Sequence, residues 1–188
     1  KFGYKLKLLS ISEIKMNKLS ERVHPCLISN NSHLSNIDGV LNAVVIDGLP
    51  VGKSLLQGEG AGPGPTSSAL ISDLCSILRG NIKYPFGISS KLRRPIAKFD
   101  ILKHISSSYF RIEVKDLPGV LSSITKIFAN NKISIKNLIQ NPDKKNKKAS
   151  IIIITHENLE KNYKNLFFDL IKNKFVLGRP TFIRIENV

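Results

Sequence analysis

The sequence predicts an α+β fold, in which a strand-rich first part precedes a domain of alternating strands and helices. Several runs in the first part alternate apolar and polar residues, as half-buried strands do. From residue 109 onward, strand-like and helix-like runs follow one another in the order β-α-β-β-α-β. We therefore expect a strand-rich domain with a closing helix over residues 1–80, a linker over 81–108 and a second domain over 109–188.

The first part contains four predicted strands separated by turn residues. Asn30-Asn31-Ser32 and Asp47-Gly48-Leu49-Pro50 carry the residue types that favour turns. Residues 48–54 resemble a phosphate-binding P-loop, but position 47, where the motif needs Gly, is Asp. A hairpin turn between two strands explains this run better. The predicted strands are residues 5–11, 22–28, 40–46 and 53–57.

A glycine-rich segment over residues 58–65 leads into a predicted helix. Pro65 suits its first position, where a missing N–H costs nothing, and Gly80 suits its C-terminal cap. The segment lacks the Gly-x-Gly-x-x-Gly spacing of a dinucleotide-binding turn. It still lets a ligand approach the backbone closely, and it should present free N–H groups at the helix N-terminus. The apolar face of the helix is formed by Leu70, Leu74, Ile77 and Leu78.

The linker over residues 81–108 shows no clear period, and regular elements resume at residue 109. Asp116-Leu-Pro-Gly119 is a turn that opens a helix. Four strands with two helices on one face predict a ferredoxin-like βαββαβ sandwich. Its predicted strands are residues 109–114, 133–139, 149–155 and 181–185, and its helices begin at residues 120 and 159.

Composition narrows the possible function classes. The net charge of +15 suggests a polyanionic partner, but Lys and Arg are spread along the chain and only 7% of residues are aromatic. Lys, Ile and Asn are abundant together, as AT-rich codons would produce. No apolar run approaches the roughly 20 residues that a membrane span needs. We therefore expect no nucleic-acid or membrane partner, and a cytoplasmic protein with two incidental thiols, Cys26 and Cys75.

No catalytic or metal-binding constellation is visible in the sequence. The four histidines do not pair by spacing with a cysteine or a carboxylate. His24 and His156 lie at strand ends. His33 lies in a polar turn and His104 in the linker, so we expect all four to be surface or strand-end residues. We assign no catalytic residue and no metal ligand to this chain.

Three runs in the first part resemble homoserine dehydrogenase in their order and spacing. The most specific is Gly58-Glu-Gly-Ala-Gly-Pro-Gly-Pro-Thr-Ser-Ser-Ala69, which continues through Asp73-Leu74. The turn Asp116-x-Pro-Gly-Val-Leu121 is similar to that of ACT domains, which this family often carries at its C-terminus. The other two runs are Arg22-Val-His-Pro25 and Gly39-Val-Leu-Asn-Ala-Val44.

The resemblance implies the C-terminal part of an enzyme that reduces aspartate semialdehyde to homoserine with NADPH or NADH, on the route to threonine, methionine and isoleucine. In that family the cofactor-binding turn and the catalytic lysine precede the matched region, so we expect this chain alone to be inactive. Residues 1–80 then correspond to the end of the mixed-sheet catalytic and dimerisation region, with a helix that returns to the cofactor domain. The cofactor contacts fall to Gly60, with Gly62 and Thr66 as neighbours.

The ACT domain implies feedback control by a small amino acid, with threonine as the leading candidate. ACT domains usually pair side by side, so the resemblance also implies a homodimer or higher homo-oligomer. Asp116 and Gly119 at the turn, with the facing second strand near Ile135, would hold the effector. A domain that only dimerises, with Asp116 capping the helix, is the alternative for this site. For the whole chain the alternative is a free-standing ACT-type amino-acid-binding regulator without catalysis.

Overall fold

Two long strands open the chain and form an antiparallel hairpin. β1 (Tyr4–Lys15) and β2 (Lys18–Ser29) pair along their whole length. Met16 and Asn17 form the turn between them, both with positive φ, as a type I′ hairpin turn requires. Both strands were predicted, and both extend further toward this turn than predicted. The computed structural model describes residues 2–81, 83–84, 87–143 and 145–188.

A second antiparallel hairpin, formed by β3 (Leu41–Gly48) and β4 (Gly52–Glu59), is a separate two-stranded sheet. Gly48 pairs with Gly52, so residues 49–51 form the turn. The hairpin prediction for residues 48–54 is confirmed, because the residues after Gly52 continue a strand, whereas a P-loop would begin a helix there.

The helix after β4, α1 (Pro63–Leu78), begins earlier than predicted. Pro63 occupies the first helical position, and Pro65 lies further into the first turn. Both prolines fit, because the first N–H groups of a helix have no intrahelical acceptor in any case. The C-terminal role of Gly80 is confirmed, since its φ is 72° and its N–H donates to the Ile77 carbonyl at 2.9 Å.

The elements of the second domain confirm the ferredoxin-like sandwich, with the strand order β9-β5-β7-β6. β5 begins inside the predicted linker, because its first residues pair with β8 and β9. None of the helices in the described part of the chain is long and apolar enough to cross a membrane. The elements are β5 (Ile105–Lys115), α2 (Val120–Asn130), β6 (Ile135–Asp143), β7 (Lys148–Thr155), β8 (Asn158–Leu159), α3 (Glu160–Lys172) and β9 (Thr181–Ile185).

Apolar residues alternate along the strands, so that one face of this sheet packs against α2 and α3. Phe110, Ile112 and Val114 occupy every second position of β5 and are fully buried, as is Ile151 on β7. The rings of Phe110 and Phe128 pack edge to face, with centroids 5.4 Å apart and an interplanar angle of 84°. The second domain therefore has the single aromatic and aliphatic core that its sequence periodicity predicts.

The first hairpin joins the second domain in one sheet. β2 pairs in parallel with β9, where Cys26 lies opposite Arg184, and we call this pairing the β2–β9 junction. One compact unit therefore contains the chain up to Ser29 together with Ile96–Val188, and the other is Asn30–Pro95. This division differs from the predicted domain limits, because a parallel pairing between distant segments leaves no local pattern in the sequence.

Candidate functional site

The glycine-rich segment follows β4 and contains the predicted cofactor contacts. The N–H of Gly60 donates to the Val40 carbonyl at 3.4 Å. A Cβ atom at Gly60 would lie 2.0 Å from Asn42 Nδ2. Asn42 is exposed, so its amide could rotate away from a methyl group. A side chain at Gly60 therefore requires only that Asn42 move, whether or not a ligand approaches this turn.

Gly62 occupies a backbone conformation that only glycine tolerates. It is the N-cap of α1, with φ 123° and ψ 158°. Its carbonyl accepts a hydrogen bond from the Thr66 N–H at 3.2 Å, which closes the first helical turn. The prediction of free N–H groups at this helix N-terminus is wrong in part, because Pro63 and Pro65 have none. The segment instead offers a backbone that few side chains cover.

In the described part of the chain, the predicted apolar face of α1 is exposed. Leu74 is 52% exposed and Leu78 is 78% exposed, and no residue of α1 is buried. A contiguous apolar surface of this kind usually marks an interface. That this face packs against a cofactor domain stays a prediction.

The turn between β5 and α2 holds two of the predicted effector residues. Asp116 is exposed, and its backbone N–H donates to the Lys147 carbonyl at 3.0 Å. Gly119 is the N-cap of α2, with φ 84°, and no described side chain caps this helix. The alternative in which Asp116 caps the helix is therefore not realised in this structure. Its carboxylate remains available for an ammonium group next to a helix N-terminus.

Ile135, the third predicted effector residue, lies at the other end of the sheet. It pairs with Thr155 at the end of β7, whereas Lys115, next to Asp116, pairs with Lys148 at the start of β7. The seven steps from residue 148 to 155, at roughly 3.3 Å each, separate these positions by about 23 Å. One chain does not bring Asp116 and Ile135 together, so a site that uses both needs two copies of the domain.

A charged cluster lies inside the β2–β9 junction. Arg22 on β2 donates from Nε and Nη2 to the two carboxylate oxygens of Glu186, at 2.9 and 2.8 Å. The same guanidinium pairs with Glu13 on β1. Only 9% of the Arg22 side chain and 6% of the Glu186 side chain are exposed. This bidentate pair ties the first hairpin to the residue that follows β9.

Two histidines complete the cluster. His104 Nδ1 lies 3.3 Å from Lys15 Nζ, and His24 Nε2 lies 3.2 Å from Glu186 Oε1. The interpretation of His24 and His104 as surface residues is wrong, since 12% and 2% of their side chains are exposed. Their burial arises where β2 meets β9, a long-range pairing that the local sequence around each histidine does not indicate. The other two histidines, His33 and His156, are exposed as predicted.

Burial and pairing together set the ionisation of the cluster. Burial by itself would raise the pKa of Glu186, but His104 and Arg22 outweigh it and hold that pKa well below its usual range. Arg22 is the stronger partner, because His104 Nε2 lies 3.7 Å from the carboxylate, beyond hydrogen-bond distance. Burial also lowers the pKa of His24 and raises the pKa of the Cys26 thiol to about 11. The β2–β9 junction therefore holds a fixed carboxylate and an unreactive thiol, which suits a structural connection better than catalysis.

The sequence contains a partial signal for this cluster. Alternate residues of β2 are buried or half-buried, and polar residues at such positions require partners. In the hairpin register, Glu13 and Lys15 lie on the neighbouring strand near this face. The hairpin register does not indicate the remaining partner, Glu186, because this residue lies 164 positions from Arg22. The inward residues of β2 are Ser20, Arg22, His24, Cys26 and Ile28.

Two family models match successive segments of the chain. Residues 1–75 match the family model described as homoserine dehydrogenase. Residues 108–166 match the model described as ACT domain. The first match contains both hairpins and most of α1, and the second runs from β5 into α3.

Homoserine dehydrogenases from several bacteria are similar to the chain over nearly its whole length. The homoserine dehydrogenase of Helicobacter pylori is 38% identical and that of Neisseria gonorrhoeae 32% identical, each alignment covering 99% of this chain and 44% of the relative. A crystal structure of a homoserine dehydrogenase from Thiobacillus denitrificans superposes with a TM-score of 0.84 and 33% identity, over 98% of this chain and 43% of that one. The chain thus spans less than half the length of these relatives.

Proposed function

We propose that the chain belongs to the homoserine dehydrogenase family and is the C-terminal part of an enzyme that interconverts aspartate semialdehyde and homoserine. The proposed enzyme is a cytoplasmic homodimer or higher homo-oligomer in threonine, methionine and isoleucine biosynthesis. The observation that carries the proposal is 38% identity to a homoserine dehydrogenase over 99% of the chain. A free-standing ACT-type regulator is disfavoured, because residues 1–75 match the dehydrogenase family and lie outside the ACT domain.

We assign the cofactor contact of this chain to Gly60, with Gly62 and Thr66 beside it. The cofactor, NADP or NAD, supplies or accepts the hydride when it is bound. Residues 60–64 contain three glycines, so the backbone there can lie in van der Waals contact with a planar ring. A Cβ atom at Gly64 would meet no other atom within 4 Å, which agrees with an open surface on that side of the segment.

The remaining catalytic machinery belongs, on this proposal, to the part of the relatives that the alignment does not cover. The isolated chain should therefore show no oxidation of NADPH or NADH in the presence of aspartate semialdehyde. A chimera that adds the missing part of the Helicobacter pylori enzyme should be active. Activity of the isolated chain, or an inactive but folded chimera, would contradict the proposed division.

The chimera also tests the glycine-rich segment. Gly60→Val should raise the KM for the cofactor by about tenfold, because a branched side chain obstructs the close approach of the ring. Gly58→Val is the matched control, since a Cβ atom at Gly58 meets nothing within 4 Å and valine favours a strand. An unchanged KM with a lower Tm in Gly60→Val would leave only the structural role beside Asn42.

The effector proposal follows from the separation of the predicted residues. We assign Asp116 and Gly119 of one copy, with Ile135 of a second copy, to a threonine site between two ACT domains. Isothermal titration of the whole chain with threonine should give heat that Asp116→Ala abolishes. Asp73→Ala, which removes an exposed carboxylate from α1, should leave the heat unchanged. No heat from threonine, isoleucine or methionine would leave the domain as a dimerisation module.

A further inference from the structure

A surface groove of about 610 Å³ lies beside α3 and the turn at residues 101–103, on the helical side of the second domain. Its apolar lining includes Tyr163, Phe167 and Phe182. Phe167 and Phe182 are half-buried and form the accessible part of this lining, whereas Tyr163 is buried and packs against Phe182 with ring centroids 5.8 Å apart. Small-molecule sites typically measure roughly 300–1,000 Å³ and combine such walls with a few polar groups.

The groove carries more positive than negative charge. Arg184 is already neutralised, because its Nε and Nη2 donate to the two carboxylate oxygens of Glu160. Arg179 lies 5.4 Å from the centroid of the Phe167 ring, and Lys164 is exposed in the lining. Within the described ranges, neither Arg179 nor Lys164 makes an ion pair. Two cations beside an aromatic wall therefore remain for a ligand.

We propose that this groove binds a small free carboxylate with an aromatic or branched apolar body. The apolar body would displace water from the rings, and the carboxylate would accept charge-assisted hydrogen bonds from Arg179 and Lys164. A cationic ligand would meet two like charges. An uncharged ligand would gain the apolar contact alone.

The groove is separate from the proposed effector site and prefers a different ligand. Asp116, Gly119 and Ile135 do not line it. An amino acid needs an acceptor for its ammonium group, and the one acidic residue in the lining, Glu160, is already held by Arg184. The groove therefore favours a carboxylate that lacks an ammonium group, and this preference does not depend on dehydrogenase activity.

Three probes of one shape test the charge requirement on the whole chain. Hydrocinnamate carries a phenyl ring and a carboxylate, hydrocinnamamide replaces the carboxylate with an amide, and L-phenylalanine adds an ammonium group. By NMR titration, hydrocinnamate should bind saturably and shift the ring signals of Phe167 and Phe182. The other two probes should bind at least about fivefold more weakly. Hydrocinnamamide cannot form the ion pair, and the ammonium group of L-phenylalanine is repelled by Arg179 and Lys164.

Two lysines on the same helix provide a matched pair of variants. Lys164→Gln and Arg179→Gln should each weaken hydrocinnamate binding by about threefold to fivefold and leave hydrocinnamamide binding unchanged. Lys161→Gln removes the same charge from α3 at an exposed position outside the groove and should have no effect. Asp116→Ala should also have no effect, which separates this result from the threonine titration.

Four outcomes would overturn the proposal. The first is hydrocinnamate binding that does not saturate, and the second is an amide that binds as tightly as the carboxylate. Lys161→Gln could weaken binding as much as Lys164→Gln, which would assign the effect to net charge. Loss of binding in Asp116→Ala would place the probe at the β5–α2 turn. If a second copy of the chain covers the groove, hydrocinnamate binding should not saturate, and analytical ultracentrifugation should show that the chain self-associates.

Discussion

The two compact units of this chain use apolar residues in opposite ways. In the unit that contains the second domain, Phe110 and Leu166 lie at regular strand and helix positions and are fully buried. In Asn30–Pro95, Val44 and Leu74 lie at equally regular positions and are exposed, and Ser35 is the only buried residue among those described there. Periodicity thus predicts the type of element in both units. It predicts burial only where an opposing layer is present.

Truncation of an apolar side chain should show the largest difference between the two units, measured as the loss in free energy of unfolding. Phe110→Ala should lower the free energy of unfolding by about 3–5 kcal/mol, because it leaves a cavity beside Phe128 and Phe182. Leu74→Ala should change it by less than about 0.5 kcal/mol. Urea unfolding followed by circular dichroism measures both. Equal losses would mean that α1 buries its apolar face in solution, for example by self-association.

The β2–β9 junction should give the next largest effect. Glu186→Gln should lower the free energy of unfolding by about 3 kcal/mol, because it leaves the shielded guanidinium of Arg22 without its bidentate partner. Glu113→Gln is the control, since its 3.5 Å pair with Arg111 is exposed and should contribute less than about 0.5 kcal/mol. Similar losses in the two variants would show that the first hairpin does not depend on this ion pair.

Acid should weaken the junction before it affects the aromatic core. Glu186 has a lower pKa in the folded chain than its ordinary value of 4.5, so its stabilisation is complete above that pH and is lost as pH falls through the lowered pKa. The pKa of His24 is lowered from 6.5, so its contribution begins to fall near that pH. Tm should therefore decrease from pH 7 to pH 4, and Glu186→Gln should flatten the part below about pH 4.5. A Tm that rises toward acid would contradict both pKa directions.

The smallest expected effect concerns the glycine-rich segment. Gly62→Ala should lower the stability of the first turn of α1 by about 1–2 kcal/mol, because alanine is strained at φ 123°. Gly58→Ala, at an ordinary strand position, is the control. Amide hydrogen exchange in α1 is the appropriate measurement, since the second domain should not respond. Identical exchange in the two variants would mean that the turn relaxes without cost.

Local chemistry explains why some assignments were correct and others wrong. Gly80 was recognised as a helix end because its conformation depends on neighbours in the same turn. The sequence predicts Pro65 at the first helical position, whereas Pro63 occupies it in the structure. Both prolines suit this position, so the sequence alone does not choose between them. β5 extends into the predicted linker because its first residues pair with β9, a strand at the far end of the chain.

By itself, the sequence determined most of the strands, the helices α1, α2 and α3, the turn between β3 and β4 and the family motifs. These features depend on residues within one or two turns of each other, so spacing and turn chemistry are sufficient to locate them. Only the tertiary structure decided that Arg22 and Glu186, which are 164 positions apart, form a buried pair. It also decided that Asp116 and Ile135 lie at opposite ends of one sheet. Both results depend on the order of strands, which arises from long-range pairing and has no local signature.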